Sequence, residues 1–235
     1  KKQGHNVVAV TSTPKDAIVK KAEAGISEED GVHVIRVNTL PHHNVSFITK
    51  GISWITMPWL FWRAVKKNCQ HIDAVIVHSP PLPLGYVARK TKKKYGATYV
   101  LNVQDIFPQN AIDLGVLKNR LIIKFFEGME RKAYKQCDTI VTPSNEHERY
   151  LVEKRGVSRD KVSVIYHWVD TKPFEEARST GKFRKKWGLE KRFIIFFGGV
   201  MGPSQGLDIL LRLGKKIQKQ HPEIAFLVCG DGSEK

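Results

Sequence analysis

Cysteine is scarce in this sequence. Cys69, Cys137 and Cys229 are odd in number, far apart and outside any Cys-x-x-Cys spacing, which argues against a disulfide framework and against a thiolate zinc site. The nine histidines include no His-x-x-x-His pair, so no metal site is expected from them either. No apolar run approaches the roughly 20 residues that a membrane-spanning helix needs. Acidic side chains are also short: 23 Asp and Glu stand against 39 Lys and Arg, a formal charge of +16 that favours anionic partners. Nucleic acid lacks support among these, because no zinc finger, homeodomain or RNP motif accompanies the basic run Arg89-Lys90-Thr91-Lys92-Lys93-Lys94. The N-terminal Lys1-Lys2-Gln3-Gly4-His5-Asn6 carries neither an initiator Met nor an apolar signal segment and reads as the interior of a longer product. A reducing cytoplasm is the expected compartment.

What is present is a chain of 235 residues with 41% hydrophobic content, enough for a sizeable core and for two domains. Strand-like apolar runs recur at Val7 to Val10, Val32 to Val37, Ala74 to His78, Thr98 to Val103, Thr139 to Thr142, Val162 to Tyr166, Phe193 to Phe197 and Ile224 to Cys229. Helical patterns lie between them at Gly51 to Lys67, Leu84 to Tyr95, Asn119 to Lys135, Glu146 to Lys154 and Leu207 to Lys219. Such alternation predicts an α/β fold of βα units with parallel sheets, the strands covered on both faces. The charged, glycine-punctuated stretch from Asp170 to Arg192 predicts the inter-domain connection, giving two Rossmann-like domains, 1–172 and 173–235, with ligand sites facing a cleft between them.

Four segments carry candidate chemistry. In the second domain, Ile194 to Leu211 reads as strand, glycine-rich turn and helix, the arrangement in which backbone N–H groups and a helix N-terminus hold phosphate, although a tight connection in any α/β domain can look the same. Ser79-Pro80-Pro81 and Asn102-Val103-Gln104-Asp105-Ile106-Phe107-Pro108-Gln109-Asn110 follow successive strands and fall at the sheet edge where open α/β folds bind ligands. Asp105 there is either a catalytic carboxylate or a turn cap. Gly51 to Arg63 holds three of the five tryptophans, with Lys66 and Lys67 just beyond. Trp54, Trp59, Phe61, Trp62 and Arg63 suit an interfacial helix on an anionic membrane. In the alternative, Ile55, Trp59 and Trp62 share a helical face that buries against the sheet.

Taken together, Ser79-Pro80-Pro81, Asp105-Ile106-Phe107-Pro108 with Ala111 and Leu114-Gly115-Val116-Leu117, Cys137-Asp138-Thr139-Ile140-Val141-Thr142-Pro143-Ser144, His167-Trp168-Val169-Asp170 and Gly198 to Leu207 resemble the family-four glycosyltransferases. The likeness is greatest to the bacterial subgroup that builds O-antigen, capsule and colanic-acid-type polysaccharides, L-fucosamine transferases among them. It implies the GT-B fold, with the first domain lacking its opening strand and the second truncated, and these residues alone are expected to be inactive. The complete enzyme is expected to be a retaining hexosyl- or N-acetylhexosaminyl-transferase that needs no cofactor and no metal. It would move a sugar from a nucleotide-sugar, of UDP-N-acetylhexosamine type, to a lipid-linked glycan precursor at the cytoplasmic face of the cell membrane. The resemblance further implies a donor seat at Gly198, Gly199, Gly202, Gln205 and Gly206, an acceptor side at Ser79, Pro80 and Asn110, and catalytic work by Asp105. Gln205-Gly206 stands where many relatives carry Lys-Gly, and Gly199 where many have Arg, so backbone N–H groups and the helix dipole are expected to contribute more at that seat. The alternatives are a nucleotide-sugar 2-epimerase of the same fold and a non-catalytic basic binding module.

Overall fold

The computed structural model describes residues 3–13, 23–41, 47–176 and 180–235. The chain forms two compact units, Lys1–His167 and Trp168–Lys235.

The first unit contains two sheets. In the smaller, β1 (Val8–Ser12) pairs in parallel with β3 (Val32–Val37), and β2 (Gly25–Glu29) pairs antiparallel on the other side of β3. β2 is an element that the apolar runs do not reveal. Its only large apolar side chain is Ile26, and every residue in it is exposed. It forms because Asp30-Gly31, both at positive φ (47° and 75°), make the two-residue hairpin turn whose twist matches paired strands. Arg36 of β3 then ties the edge strand down through an ion pair with Glu29 and a 3.0 Å hydrogen bond to the Ser27 hydroxyl.

The larger sheet is parallel throughout, in the order β4 (Ala74–Ser79), β5 (Thr98–Val103), β6 (Thr139–Thr142), β7 (Val162–Val164). Three helical connections join its strands: α2 (Gly85–Tyr95), then α3 (Gln109–Asp113) with α4 (Arg120–Gln136), then α5 (Asn145–Arg155). Local chemistry sets their ends. The Asn119 and Ser144 side chains accept N–H bonds at the starts of α4 and α5, while Gly96 and Gly156 take the left-handed conformation that terminates α2 and α5. Val77, Ala88, Tyr99, Leu101, Val103, Ala133, Ile140 and Leu151 bury together on the helical side. Ile76 and His78, on the opposite face of β4, are exposed. The expectation of strands covered on both faces therefore fails for β4, since β-strand side chains alternate and the described helices cover only the Val77 side.

Helix α1 (Phe47–Asn68) packs against both the smaller sheet and α2. Its buried stripe is Ser53, Met57, Phe61 and Val65, a regular i, i+4 series that meets Val10, Val37 and Val87. The alternative reading, in which Ile55, Trp59 and Trp62 bury together, is thus not met: Ile55 and Trp59 are exposed, and Trp62 is half-buried. Ser53 can occupy the core because its hydroxyl donates to the Leu40 carbonyl at 2.9 Å, which removes the cost of burying it. Among the described residues, no helix is long and apolar enough to cross a membrane.

In the second unit β8 (Phe193–Gly198) pairs in parallel with β9 (Ile224–Cys229), joined by α8 (Asp208–Ile217). Two short helices precede them, α6 (Lys172–Glu176) and α7 (Lys182–Lys186), in the charged connection.

Candidate functional site

The acceptor-side residues sit at the C-terminal edge of β4 and β5. Ser79 ends β4 and is buried; its carbonyl accepts N–H bonds from Gln104 at 3.0 Å and Asp105 at 3.5 Å, so the two strand ends are tied into one loop cluster. Pro80 is half-buried beside it. The chain turns sharply after Asp105, whose carbonyl accepts from the Phe107 N–H at 3.0 Å. This leaves the Asp105 side chain exposed, with no hydrogen bond or ion pair among the described residues. Next to it, His78 and Asn102 are paired across β4 and β5, with the Asn102 amide nitrogen 3.3 Å from the His78 Nδ1, and Asn102 Oδ1 accepts from Gln104. His78, Asn102 and Gln104 thus form one hydrogen-bonded polar cluster at the C-terminal ends of β4 and β5. Asn102 and Gln104 fall in a motif quoted above and His78 ends the strand-like run before Ser79, and their strand register shows that they converge.

Asn110 donates its N–H to the Ile106 carbonyl at 2.8 Å, and its side-chain Oδ1 is buried without a hydrogen-bond partner among the described residues. Its neighbour Gln109 is held by two side chains of α5. Gln109 Oε1 accepts from the Tyr150 hydroxyl at 3.2 Å and from Arg155 Nη2 at 3.4 Å. Arg155 is anchored in turn on Glu130 at 3.1 Å, and Glu130 also accepts from the Tyr134 hydroxyl at 3.0 Å. Glu130 is 1% exposed. Burial pushes its carboxyl pKa up, while Arg155 and Tyr134 act in the opposite direction. No local pattern in the sequence reveals this Glu130–Arg155–Tyr150 anchor, because Glu130 of α4 and the α5 pair Tyr150 and Arg155 are brought together with Gln109 only by the fold.

The aromatic face of α1 divides. Trp54 packs edge-on against Phe107 at 5.6 Å, which places it at the acceptor-side loop. Trp59 is 52% exposed, and the Arg63 guanidinium stacks over it at 4.7 Å. Phe61, expected at a membrane surface, is instead 7% exposed in the core with Met57, Val65 and Val87, since it falls on the i, i+4 stripe that faces the sheet.

In the second unit the glycine-rich segment connects β8 to α8 as the sequence suggests, but its hydrogen bonding differs from a simple cradle. The Gly199 N–H donates to the Cys229 carbonyl at 3.0 Å, the Met201 N–H to the Asp231 carbonyl at 2.9 Å, and the Gly202 N–H to Gln205 Oε1 at 3.1 Å. Gly199 and Gly202 are therefore not free anion donors, and the Gln205 side chain serves as an internal cap. No acceptor is found among the described residues for the N–H groups of Val200, Leu207 and Asp208, and the last two open α8. These N–H groups, with that of Ser204, which likewise has no acceptor among the described residues, are available to an anion at this turn. Gly206 supplies the left-handed turn (φ 57°) that aims the chain into α8. Gly198 ends β8 against the Phe196 ring. Gly230 was not among the expected site residues, yet a Cβ there would lie 1.8 Å from the Gly199 carbonyl oxygen, so the loop after β9 and the loop after β8 pack backbone on backbone. The Asp208 carboxylate in the first turn of α8 is paired with Arg212 at 3.0 Å. No group of three or more His, Cys, Asp or Glu that could hold a metal is found among the described residues.

Residues 1–173 match the model of Glycosyltransferase Family 4. The chain is 26% identical over 193 residues to the probable glycosyltransferase WbjE of Pseudomonas aeruginosa, a match spanning 79% of this chain and 46% of WbjE. Among solved structures, HepE of Anabaena in complex with UDP-glucose superposes with a TM-score of 0.57 at 14% identity, over 86% of this chain and 48% of HepE. Sucrose-phosphate synthase of Thermosynechococcus elongatus superposes with a TM-score of 0.61 at 11% identity, over 97% of this chain and 61% of that one. The chain thus spans about half the length of WbjE and HepE. These two structures show the GT-B fold, and with the family model matching most of its length, the chain belongs to glycosyltransferase family 4.

Proposed function

We propose that the protein is a retaining glycosyltransferase that moves a sugar from a UDP-linked donor of N-acetylhexosamine type to a lipid-linked glycan precursor in bacterial surface-polysaccharide synthesis. The observation that supports this most is the unpartnered Asp105 carboxylate at the β5 edge, within a loop cluster tied to Ser79 and bordered by Pro80 and Asn110. A carboxylate in that position can orient an acceptor hydroxyl and take up its proton. The free N–H groups of Val200, Leu207 and Asp208 would stabilise the departing diphosphate, which an oxocarbenium-like transition state requires. UDP-glucose bound to HepE favours a UDP donor. The enzyme would work at the inner face of the cell membrane, with exposed Trp59 and Arg63 of α1 contributing to contact with anionic lipid.

Asp105→Asn tests the assignment. In the complete enzyme, turnover should fall on the order of 10²-fold, with nucleotide affinity nearly unchanged. Near-normal turnover of a folded Asp105→Asn protein would rule out a catalytic role for this side chain.

A further inference from the structure

An exposed apolar patch at the turn between α3 and α4 has no partner among the described residues. Leu114 and Val116 in the turn are 45% and 63% exposed, and Leu121 and Phe125, one helical turn apart on α4, are 77% and 58% exposed. Leaving four such side chains in water within one short stretch forgoes the favourable transfer of each, the usual mark of a surface that meets something else. Three exposed cations, Lys118, Arg120 and Lys124, alternate with them in the sequence. The acid of the stretch, Asp113, is engaged by Gln109 Nε2 at 2.7 Å. The patch is continuous with the acceptor side: Phe125 contacts Phe126 at 5.5 Å, Phe126 contacts Phe107 at 5.0 Å, and Phe107 lies two residues from Asp105.

We propose that this patch docks on an anionic lipid bilayer, Leu114, Val116, Leu121 and Phe125 entering the boundary between headgroups and acyl chains while Lys118, Arg120 and Lys124 meet lipid phosphates. Charge decides between lipid and a second copy of the chain. A two-fold dimer through this patch would set its three cations against the same three, whereas an anionic leaflet attracts every one of them. Docking here brings the Asp105–Asn110 segment to the headgroup layer, where the reacting end of a lipid-linked acceptor resides. In that respect the inference rests on the proposed function, although the docking itself requires no sugar transfer.

The test is co-sedimentation of the protein with vesicles of phosphatidylcholine alone and of equal parts phosphatidylcholine and phosphatidylglycerol. Binding should be confined largely to the anionic vesicles and weaken as added salt shortens the screening length from about 10 Å at 0.1 M towards about 3 Å at 1 M. In the double variant Leu121→Ser/Phe125→Ser it should fall at least about tenfold, with the circular dichroism spectrum unchanged because both positions are exposed. Undiminished binding by the double variant would overturn the proposal. So would binding that disappears with Trp59→Ala alone, or a self-association that the double variant abolishes in a protein that ignores vesicles. Vesicle binding by a complete enzyme that transfers no sugar would leave the docking surface standing and sink the proposed function; transfer to a soluble acceptor by a complete enzyme without vesicle binding would do the reverse.

Discussion

Glu130→Met is the substitution that most directly probes how the acceptor-side loop is held. The Glu130 carboxylate is 1% exposed and pairs with Arg155 at 3.1 Å, so removing it leaves a guanidinium without its counter-charge in the same place. Breaking a buried pair from one side costs about 3–5 kcal/mol. Arg155 keeps its contacts with Gln109 and with the Tyr150 ring, and its side chain is 17% exposed, so the lower end, about 3 kcal/mol, is expected here. With a urea m-value of about 1–3 kcal/mol per molar, that moves the unfolding midpoint of the first unit down by about 1–3 M. The double variant Glu130→Met/Arg155→Met should recover most of the loss, because replacing both members with apolar side chains of similar length removes the uncompensated charge. Urea unfolding followed by circular dichroism and tryptophan fluorescence gives both numbers. A single-variant loss below about 1 kcal/mol, or a double variant no better than the single, would refute the idea that this pair supports the loop.

Gly230→Ala is expected to abolish donor binding while the first unit stays folded, because the new Cβ would fall 1.8 Å from the Gly199 carbonyl and force the two loops apart; calorimetry with UDP against a Gly214→Ala control, whose Cβ meets only a Phe226 ring edge at 3.5 Å, checks it. Phe61→Ala should cost about 3–5 kcal/mol of stability and Trp59→Ala about 0.5 kcal/mol or less, an order that comparative thermal melts would expose if reversed. Lys92, and then the Tyr99 N–H, hold the Asp138 carboxyl below its usual pKa. A depressed carboxyl contributes stability above its unfolded value, near pH 4, and that contribution is lost as pH falls through the lower folded value. The stability gap between wild type and Asp138→Asn should therefore be largest near neutral pH and close in acid, and a gap that widens on acidification would contradict this sign.

Much of the fold was legible because buried parallel strands are written as continuous apolar runs. β3, β5, β6 and β9 have the bounds that their side chains suggest. β2 escaped notice because edge strands need little apolar content; the Asp30-Gly31 turn was its available signal. The inward face of α1 was misjudged for a related reason. Aromatic residues outweigh Ser53 in any apolar count, yet Ser53 is in the core through its bond to Leu40. At the site, the strand-edge position of Asp105 follows from local order in the sequence, whereas the Glu130–Arg155 anchor and the pairing of Gly199 with Cys229 are long-range and come only with the fold. Leu114-Gly115-Val116-Leu117 was readable as a motif, but that Leu117 is buried while Leu114 and Val116 are exposed depends on how α3 meets α4.

The most direct test of the glycosyl-transfer reading is to follow, by NMR, the complete enzyme that carries this chain, incubated with UDP-N-acetylhexosamine and a polyprenyl-diphosphate-linked saccharide. The expected result is a new glycosidic bond with the anomeric configuration of the donor, dependent on Asp105 and requiring the acceptor. Inverted product would contradict the retaining mechanism, and interconversion of the nucleotide-sugar without acceptor would show an epimerase instead.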